Sequence, residues 1–459
     1  MADDLGFSQT GSAYAVTEAD RAAIAAAIDT EELVKFALEL GNIPSTSRRE
    51  AQAAAFVYDW MEREGFSPWK VGATPSRPNV VGTYGGTGDG ASLLFTAHLD
   101  TESPTYDPYL DSKALRPESL KNREWLECWL EDGVLRGYPI ANDRGPMTCF
   151  LMAAKALKKA GYDLAGRLYL TACPGEIGPE PIEDWEGVEY LGKDIGANYL
   201  FHHGRVAPDY VIAAEGCDYG YTWIGCGYAT FRIQVFGQSV FRPITKTPER
   251  TADHVSPIYR LGPLIEALHD WSLRYEAENR YDSPGGLSLP KATITSVQAG
   301  HPHAGGTEIC SIYMSCDLNP RQTVNQVQRQ LERVMRVQYG REFVVEPLVA
   351  RHGYEANEAE VAPLISSVEH ATQLTLGRPA GIASSVYSSM WRDHNVFNMQ
   401  RIPAITTGFK RWRPSPQDFF DSTLIFALTS LAVCGRAENV ESKKATSIYG
   451  SRENPFSDG

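Results

Sequence analysis

The sequence lacks the features of membrane and secreted proteins. No uncharged apolar run approaches the roughly 18 to 20 residues that a membrane-spanning helix needs. The N-terminal segment MADDLGFSQTGSAY has neither a basic stretch nor an apolar stretch, so we expect no secretory signal. The eight cysteines form no C-x-x-C pair, which favours buried free thiols in a reducing compartment over a cysteine metal site. We therefore expect a cytoplasmic protein without a membrane partner.

Basic residues are also few. Lys and Arg number 43 against 57 Asp and Glu, which gives a formal net charge of −14. An acidic surface repels phosphate backbones, so we expect no nucleic acid partner, although a local basic groove is compatible with this balance. The rest of the composition is ordinary for a globular protein, with 43% hydrophobic and 22% charged residues in 459. A prior of about 150 residues per domain predicts two to three domains.

Short apolar runs alternate with helical patterns in the first half of the chain. A helical pattern, PMTCFLMAAKALKKAGY, stands between the second and third of these runs, which lie at 79–86, 92–98, 167–173 and 209–215. Strands that alternate with helices predict an α/β domain with three layers around a mixed, largely parallel sheet. In sheets of this kind, ligands bind at the carboxyl ends of the strands.

The pattern changes near residue 225. Strand, helix, strand, strand and helix then follow in order, which is typical of a small α+β unit with layers of its own. We therefore predict a catalytic domain in two parts, 1–224 and 343–459, with a smaller α+β unit inserted at 225–342. The polar tail after Cys434 has no core-forming pattern, so we expect it to pack loosely.

Polar side chains follow the apolar runs or precede a helix at four places. His98 and Asp100 follow the second run, Asp143 precedes a helix, Glu176 lies between two glycines, and Glu215 closes an apolar strand. Taken singly, each is explained by a surface turn or, for Asp143, by a helix N-cap. Taken together, they bring an imidazole and several carboxylates to one edge of the sheet, where buried carboxylates need a cation or a partner. The sequence therefore predicts a metal site at this edge.

The order of these motifs resembles the aminoacylase, acetylornithine deacetylase and succinyl-diaminopimelate desuccinylase family of metal-dependent exopeptidases and amidohydrolases. The resemblance covers about residues 75–435 and implies a catalytic domain interrupted by a dimerisation domain. It implies that His98 and Glu215 bind one metal ion, that Asp143 bridges two metal positions, and that Asp100 orients His98. The inserted unit would then form a homodimer.

Three positions depart from the family's pattern. The E-E-x-G motif begins with Gly175, so the usual general base is missing, while the glutamate for the second metal remains as Glu176. Proline stands at position 414, where the family has a metal-binding histidine. In the inserted unit, Phe241 stands where the family has a histidine that reaches the partner's site. We therefore expect one divalent ion per chain, of Mn, Zn, Fe or Co.

Three further residues are candidates for substrate binding. Arg242 and His254 lie near the missing histidine of the inserted unit, and His394 lies in the segment WRDHNVF, which maps near the family's site. With Gly175 in the base position, Glu176 is the nearest carboxylate that could accept a proton, and Asp100 is the second candidate catalytic residue.

These residues predict a metal-dependent hydrolase that cleaves a C–N bond of a small molecule. It would act as a deacylase or amidohydrolase, or as an aminohydrolase that releases ammonia from an aromatic amine, as nitroanthranilate aminohydrolase does among the family's relatives. The alternatives are a metallo-exopeptidase of the same family and a small-molecule-binding relative without catalytic activity.

Overall fold

The computed structural model describes residues 14–101, 123–178, 180–183, 186–300 and 306–437. The polar tail is described only up to residue 437, so the expected loose packing of its remainder lies outside the described residues. All eight cysteines are buried and free, as their distribution in the sequence predicts. In the described part of the chain, no helix combines the length and the apolar character that crossing a membrane would require.

The strands, in chain order, are β1 (Trp69–Val71), β2 (Asn79–Gly85), β3 (Leu93–His98), β4 (Trp129–Glu131), β5 (Val134–Arg136), β6 (Arg167–Cys173), β7 (Tyr210–Ala214), β8 (Tyr221–Thr222), β9 (Ile224–Gly225), β10 (Gly227–Phe236), β11 (Tyr281–Ser283), β12 (Gly286–Ser288), β13 (Ala292–Ala299), β14 (Ile309–Leu318), β15 (Phe343–Arg351), β16 (Tyr354–Glu355) and β17 (Ala404–Thr407).

The α-helices span Glu18–Ala27, Thr30–Gly41, Ala51–Glu64, Arg123–Leu126, Gly145–Lys159, Ala197–His203, Pro257–Glu278, Val324–Tyr339, Glu358–Leu376, Ser385–Ser388, His394–Met399 and Pro416–Cys434. Short helical turns occur at Ile140–Arg144, Val188–Tyr190, Arg242–Ile244 and Thr251–Asp253.

The large sheet has seven strands in the order β1-β2-β6-β3-β7-β17-β8. The four central strands β6, β3, β7 and β17 are parallel to one another, and antiparallel strands flank them on both sides. Every residue of β3 is buried, as expected for a central strand covered on both faces. This is the mixed, largely parallel sheet that the sequence predicts.

Helices cover both faces of this sheet. Leu93 and Phe95 of β3 point into a core shared with the long helices, among them Gly145–Lys159 and Pro416–Cys434. Leu94, which points the other way, packs in a smaller cluster with residues of the helices Ala197–His203 and His394–Met399. The alternation along one strand therefore fills two cores and produces the three layers.

The smaller unit is a four-stranded antiparallel sheet in the order β13-β14-β10-β15. Buried and half-buried residues alternate along β10, and its inward side chains share a core with the helices Pro257–Glu278 and Val324–Tyr339. The strand β15 pairs with β10, so this sheet continues to Arg351, beyond the predicted boundary at residue 342. The run FVVEPLVAR carries the same two-residue alternation of burial that identifies a strand with one face covered.

Arg351, the last residue of β15, joins the small sheet to the large domain. Its guanidinium donates hydrogen bonds to both carboxylate oxygens of Asp194, at 2.9 and 3.0 Å. It also donates to both oxygens of Glu180, at 3.3 and 3.1 Å. Both carboxylates belong to the connection between β6 and the helix Ala197–His203, so this connection is held against the small sheet.

Candidate metal centre

Four of the predicted residues lie at the same edge of the large sheet. His98 is the last residue of β3, Glu215 directly follows β7, and Glu176 follows β6 by three residues. Asp143 lies in the turn Ile140–Arg144, directly before the long helix that returns across the sheet, and the peptide bond between Asn142 and Asp143 is cis. The side chains of all four are buried.

The imidazole of His98 presents one nitrogen to two of the carboxylates. Its Nδ1 lies 2.6 Å from the backbone carbonyl oxygen of Asp100, and a carbonyl only accepts, so Nδ1 carries a hydrogen. The opposite nitrogen, Nε2, lies 3.1 Å from Asp143 and 3.8 Å from Glu176. Burial lowers the pKa of His98, but Asp143, Glu176 and Asp100 outweigh it and raise the pKa to about 10. The pocket around Nε2 therefore strongly favours positive charge.

Asp100 orients His98 through its backbone rather than through its carboxylate. The carboxylate oxygen Oδ1 is 3.7 Å from His98 Nδ1, too far for a hydrogen bond. Instead, the carboxylate accepts hydrogen bonds from the backbone amides of Glu176 and Ile177, at 3.0 and 2.9 Å, and from the Ser47 hydroxyl. The side chain of Asp100 thus fixes the backbone that carries Glu176.

The carboxylate of Asp143 is the strongest indication of a cation. The residue is fully buried, and His98 Nε2, 3.1 Å away, is the one partner that the described residues offer its carboxylate. A buried carboxylate costs on the order of several kcal/mol unless cations compensate it, and the single imidazole leaves one of its two oxygens without a partner in the described structure. Its position opposite His98 Nε2 provides two of the donor atoms that a divalent transition metal prefers.

Glu176 is held by a buried ammonium group. Lys193 Nζ donates to the carboxylate of Glu176 at 3.0 Å and also to its backbone carbonyl. Burial would raise the pKa of Glu176, but Lys193 and His98 together lower it to about 2. Glu176 is therefore ionised at neutral pH. One of its carboxylate oxygens accepts a hydrogen bond from Lys193, and the other faces His98.

Glu215 faces an arginine instead of His98. The guanidinium of Arg392 forms an ion pair with its carboxylate, and both side chains are buried. Within the described ranges, no three His, Cys, Asp or Glu side chains stand together in positions that could hold a metal ion. His98 and Asp143 fit one ion, whereas a third ligand from Glu215 or Glu176 requires that side chain to leave Arg392 or Lys193.

The three predicted substrate-binding residues lie apart from this pair. His394 is fully buried at the start of the helix His394–Met399, where its Nδ1 contacts the Thr406 hydroxyl at 2.7 Å and its Nε2 has no partner in the described structure. Burial and the charge of Arg392 lower its pKa to about 3, so it is neutral. His254 stacks on Tyr259 in the small unit, and Arg242 begins the short helical turn Arg242–Ile244 of the same unit.

Sequence reasoning did not single out Lys193, Arg392 or Asp393. Burial and the nearby Glu176 raise the pKa of the Asp393 carboxyl to about 6. Lys193 pairs with Glu176, 17 positions away in the sequence, and Arg392 pairs with Glu215, 177 positions away. The segment WRDHNVF contains two of the three, directly before the predicted His394.

Comparisons with known proteins agree with this fold. No known family profile matches the chain. The chain is 24% identical over 317 residues to N-formyl-4-amino-5-aminomethyl-2-methylpyrimidine deformylase of Bacillus subtilis, an alignment that covers 66% of each chain. It is also 24% identical over 206 residues to a probable carboxypeptidase of Aspergillus clavatus, covering 43% of this chain and 48% of that one. The chain thus spans just under two thirds and about half of the lengths of these relatives.

Solved structures resemble the chain over most of its length. The dipeptidase Dug1p of Saccharomyces cerevisiae has a TM-score of 0.63 at 12% identity, covering 92% of this chain and 100% of that one. An M20-family metallo-carboxypeptidase of Sulfolobus solfataricus has a TM-score of 0.59 at 13% identity, covering 88% and 99%. The fold expected from the motif resemblance is therefore confirmed.

Proposed function

We propose that this chain, whose fold is that of the M20-family metallopeptidases, is a metal-dependent hydrolase that cleaves a C–N bond of a small molecule. The observation that carries the proposal is the buried Asp143 carboxylate, which faces His98 Nε2 at 3.1 Å and has no other partner among the described residues. The similarity to a deformylase and to a probable carboxypeptidase supports hydrolysis of an amide-type bond.

His98, Asp143 and Glu215 are the proposed ligands of one divalent ion. Such an ion, when bound, lowers the pKa of a water molecule and polarises the electrophile. His98 contributes Nε2 because its Nδ1 is held by the carbonyl of Asp100. Glu176, ionised and fixed by Lys193, accepts the proton of the attacking water.

Peptidase activity by the family's usual route is disfavoured by the backbone at Gly175. This residue has a φ of +77°, and a Cβ placed on it would come within 2.5 Å of the Gly192 carbonyl oxygen. A glutamate at this position would therefore need the backbone to move. A deacylase, amidohydrolase or aminohydrolase with another proton acceptor fits this geometry better than an exopeptidase does.

A substrate screen tests the proposed function. The protein loaded with Mn, Zn or Fe would be incubated with formyl and acyl amides and with aryl amines, and released carboxylate and ammonia would be measured separately. We expect turnover that disappears after chelation and returns with metal. Carboxylate release would identify an amidohydrolase, and ammonia release from an aryl amine would identify an aminohydrolase. Ligand binding without metal-dependent turnover would instead support the non-catalytic alternative.

We also propose a homodimer formed through the small unit, in a protein without a nucleic acid or membrane partner. The strand β13 lies at one edge of the four-stranded sheet and is largely exposed, and a second copy could extend the sheet there. Light scattering should give twice the chain mass of 50.6 kDa at micromolar concentration.

Two variants locate the contact. Val297→Lys, on β13, should shift the protein to a monomer, because a charge would enter the interface. Val344→Lys, at the opposite edge on β15, should leave the dimer intact; the two valines are 42% and 38% exposed. A wild-type protein with the mass of one chain would contradict the proposal.

A further inference from the structure

A cavity of about 640 Å³ lies beside the candidate metal centre. Its wall includes the aromatic side chains of Trp125, Tyr138 and Trp412, and its lining continues to Ile140 and Ala141, which lead into Asp143. The rings of Trp125 and Tyr138 stack with centroids 4.5 Å apart, and the Trp412 ring lies 6.3 Å from that of Tyr138. Trp412 is 57% exposed in the part of the chain that the structure describes.

Arg411 lies in the wall of this cavity and packs on the residue that follows Glu215. It packs so closely on Gly216, the residue after Glu215, that a Cβ on this glycine would come within 2.9 Å of the Arg411 Cα and Cβ. The backbone amide of Arg411 donates to Asp218 at 3.0 Å. The guanidinium nitrogen Nη1 is buried and has no hydrogen-bond partner among the described residues.

Arg392 carries a second guanidinium, which lies against Glu215 rather than in the wall of the cavity. Its side chain is buried, its Nη1 pairs with Glu215, and its Nη2 has no hydrogen-bond partner in the part of the chain described. Arg392 Nε donates to the backbone carbonyl of Tyr387 at 3.4 Å, and the guanidinium carbon of Arg411 lies 5.9 Å from the centroid of the Tyr387 ring, so both cations adjoin this residue. Each of the two guanidinium groups thus has a buried N–H donor without an acceptor among the described residues, a costly arrangement that an anion would relieve.

We propose that Arg392 and Arg411 bind the carboxylate of an aromatic carboxylate substrate, whose ring packs against Tyr138 and Trp412. The inference rests on the proposed function, because it assigns the substrate class of that hydrolase. A carboxylate is planar and accepts from several N–H groups at once, which suits guanidinium donors. The aromatic wall next to Arg411 supplies ring contacts that a small aliphatic acid cannot use.

Calorimetry with benzoate, benzamide and acetate tests the proposal on the metal-loaded, full-length protein. Benzoate should bind at least about tenfold more tightly than benzamide, which lacks the charge, and than acetate, which lacks the ring. Arg411→Gln should weaken benzoate binding by roughly 10- to 100-fold, the loss expected for a charge-assisted hydrogen bond. The matched control is Arg413→Gln, whose side chain is 62% exposed and 3.9 Å from Glu124; it should change benzoate binding less than about twofold.

A second variant covers the case in which Arg411→Gln does not fold. The largely exposed Trp412 should tolerate Trp412→Leu, which should weaken benzoate binding and leave acetate binding unchanged. Equal binding of benzamide and benzoate, equal binding of acetate and benzoate, or unchanged benzoate binding in both variants would each overturn the proposal. Amide hydrolysis by a protein that ignores benzoate would overturn this inference alone. Benzoate binding without any metal-dependent turnover would overturn only the proposed function.

Discussion

His98→Ala is expected to remove bound metal and activity together. His98 provides the imidazole nitrogen next to Asp143, and the hydrogen bond from Nδ1 to the backbone carbonyl of Asp100 already directs Nε2 at that carboxylate. Without the imidazole, two or three carboxylates and water would remain, which is a poor site for a transition metal. Metal affinity should fall by more than about 100-fold, beyond the range typical for residues that only support a ligand. Elemental analysis of metal-saturated, desalted protein measures this loss.

Asp418→Asn is the control for His98→Ala. Asp418 belongs to the segment in which the family carries its second-metal histidine, but here it forms a capping box with Ser415 at the start of the helix Pro416–Cys434. Its loss should cost about 1 kcal/mol of stability and leave the metal content at one ion per chain. Two ions per chain, both needed for activity, would refute the single-metal site and point to a further ligand such as His394.

Glu176→Gln should lower turnover by about 10² to 10⁴ and leave the metal content unchanged. The amide cannot accept a proton, whereas the ionised carboxylate can. Because Lys193 and His98 outweigh burial and hold the pKa of Glu176 at about 2, the carboxylate stays ionised from mildly acidic to alkaline pH. An acidic limb of the pH–rate profile near neutrality should therefore not arise from Glu176, and the same limb should persist in the residual activity of the variant.

Glu189→Gln is the matched control, because Glu189 is an exposed carboxylate on the same connection between β6 and the helix Ala197–His203. It should keep both metal content and turnover. If Glu176→Gln instead loses its metal while the rate per bound ion stays normal, Glu176 is a ligand and the proton goes elsewhere. Asp393, with a pKa raised to about 6, would then be the next carboxyl group to test.

The four residues at the sheet edge could be predicted from the sequence for a simple physical reason. Each stands directly beside a contiguous strand or helix pattern, and parallel strands bring their carboxyl ends together. His98, Glu176 and Glu215 follow from that rule and Asp143 from its place directly before a helix, and the structure places all four at that edge. The large parallel sheet was accessible in the same way, because its buried strands are short, apolar and separated by helices.

The cations that pair with two of these carboxylates could not be predicted from the sequence. A lysine or arginine in a sequence is usually a solvated surface residue, and only the folded chain shows that Lys193 and Arg392 are buried against Glu176 and Glu215. The sequence predicted that Asp100 orients His98, but it could not show that the backbone carbonyl makes this contact in place of the carboxylate. The carbonyl and the carboxylate of Asp100 have different partners, and the sequence pattern does not distinguish backbone from side-chain contacts.

The four hydrogen bonds that Arg351 donates to Asp194 and Glu180 have a mechanical consequence. Asp194 directly follows Lys193, and Glu180 lies four residues after Glu176. Through Arg351 the small sheet therefore binds the connection between β6 and the helix Ala197–His203 near both members of the Lys193–Glu176 pair. A rotation of the small sheet would move this connection, and with it the ammonium group of Lys193 toward or away from the carboxylate of Glu176. The electrostatic potential around His98 would then depend on the position of the small sheet. A substrate that contacts the small sheet would change this potential at the metal centre without touching the metal centre itself.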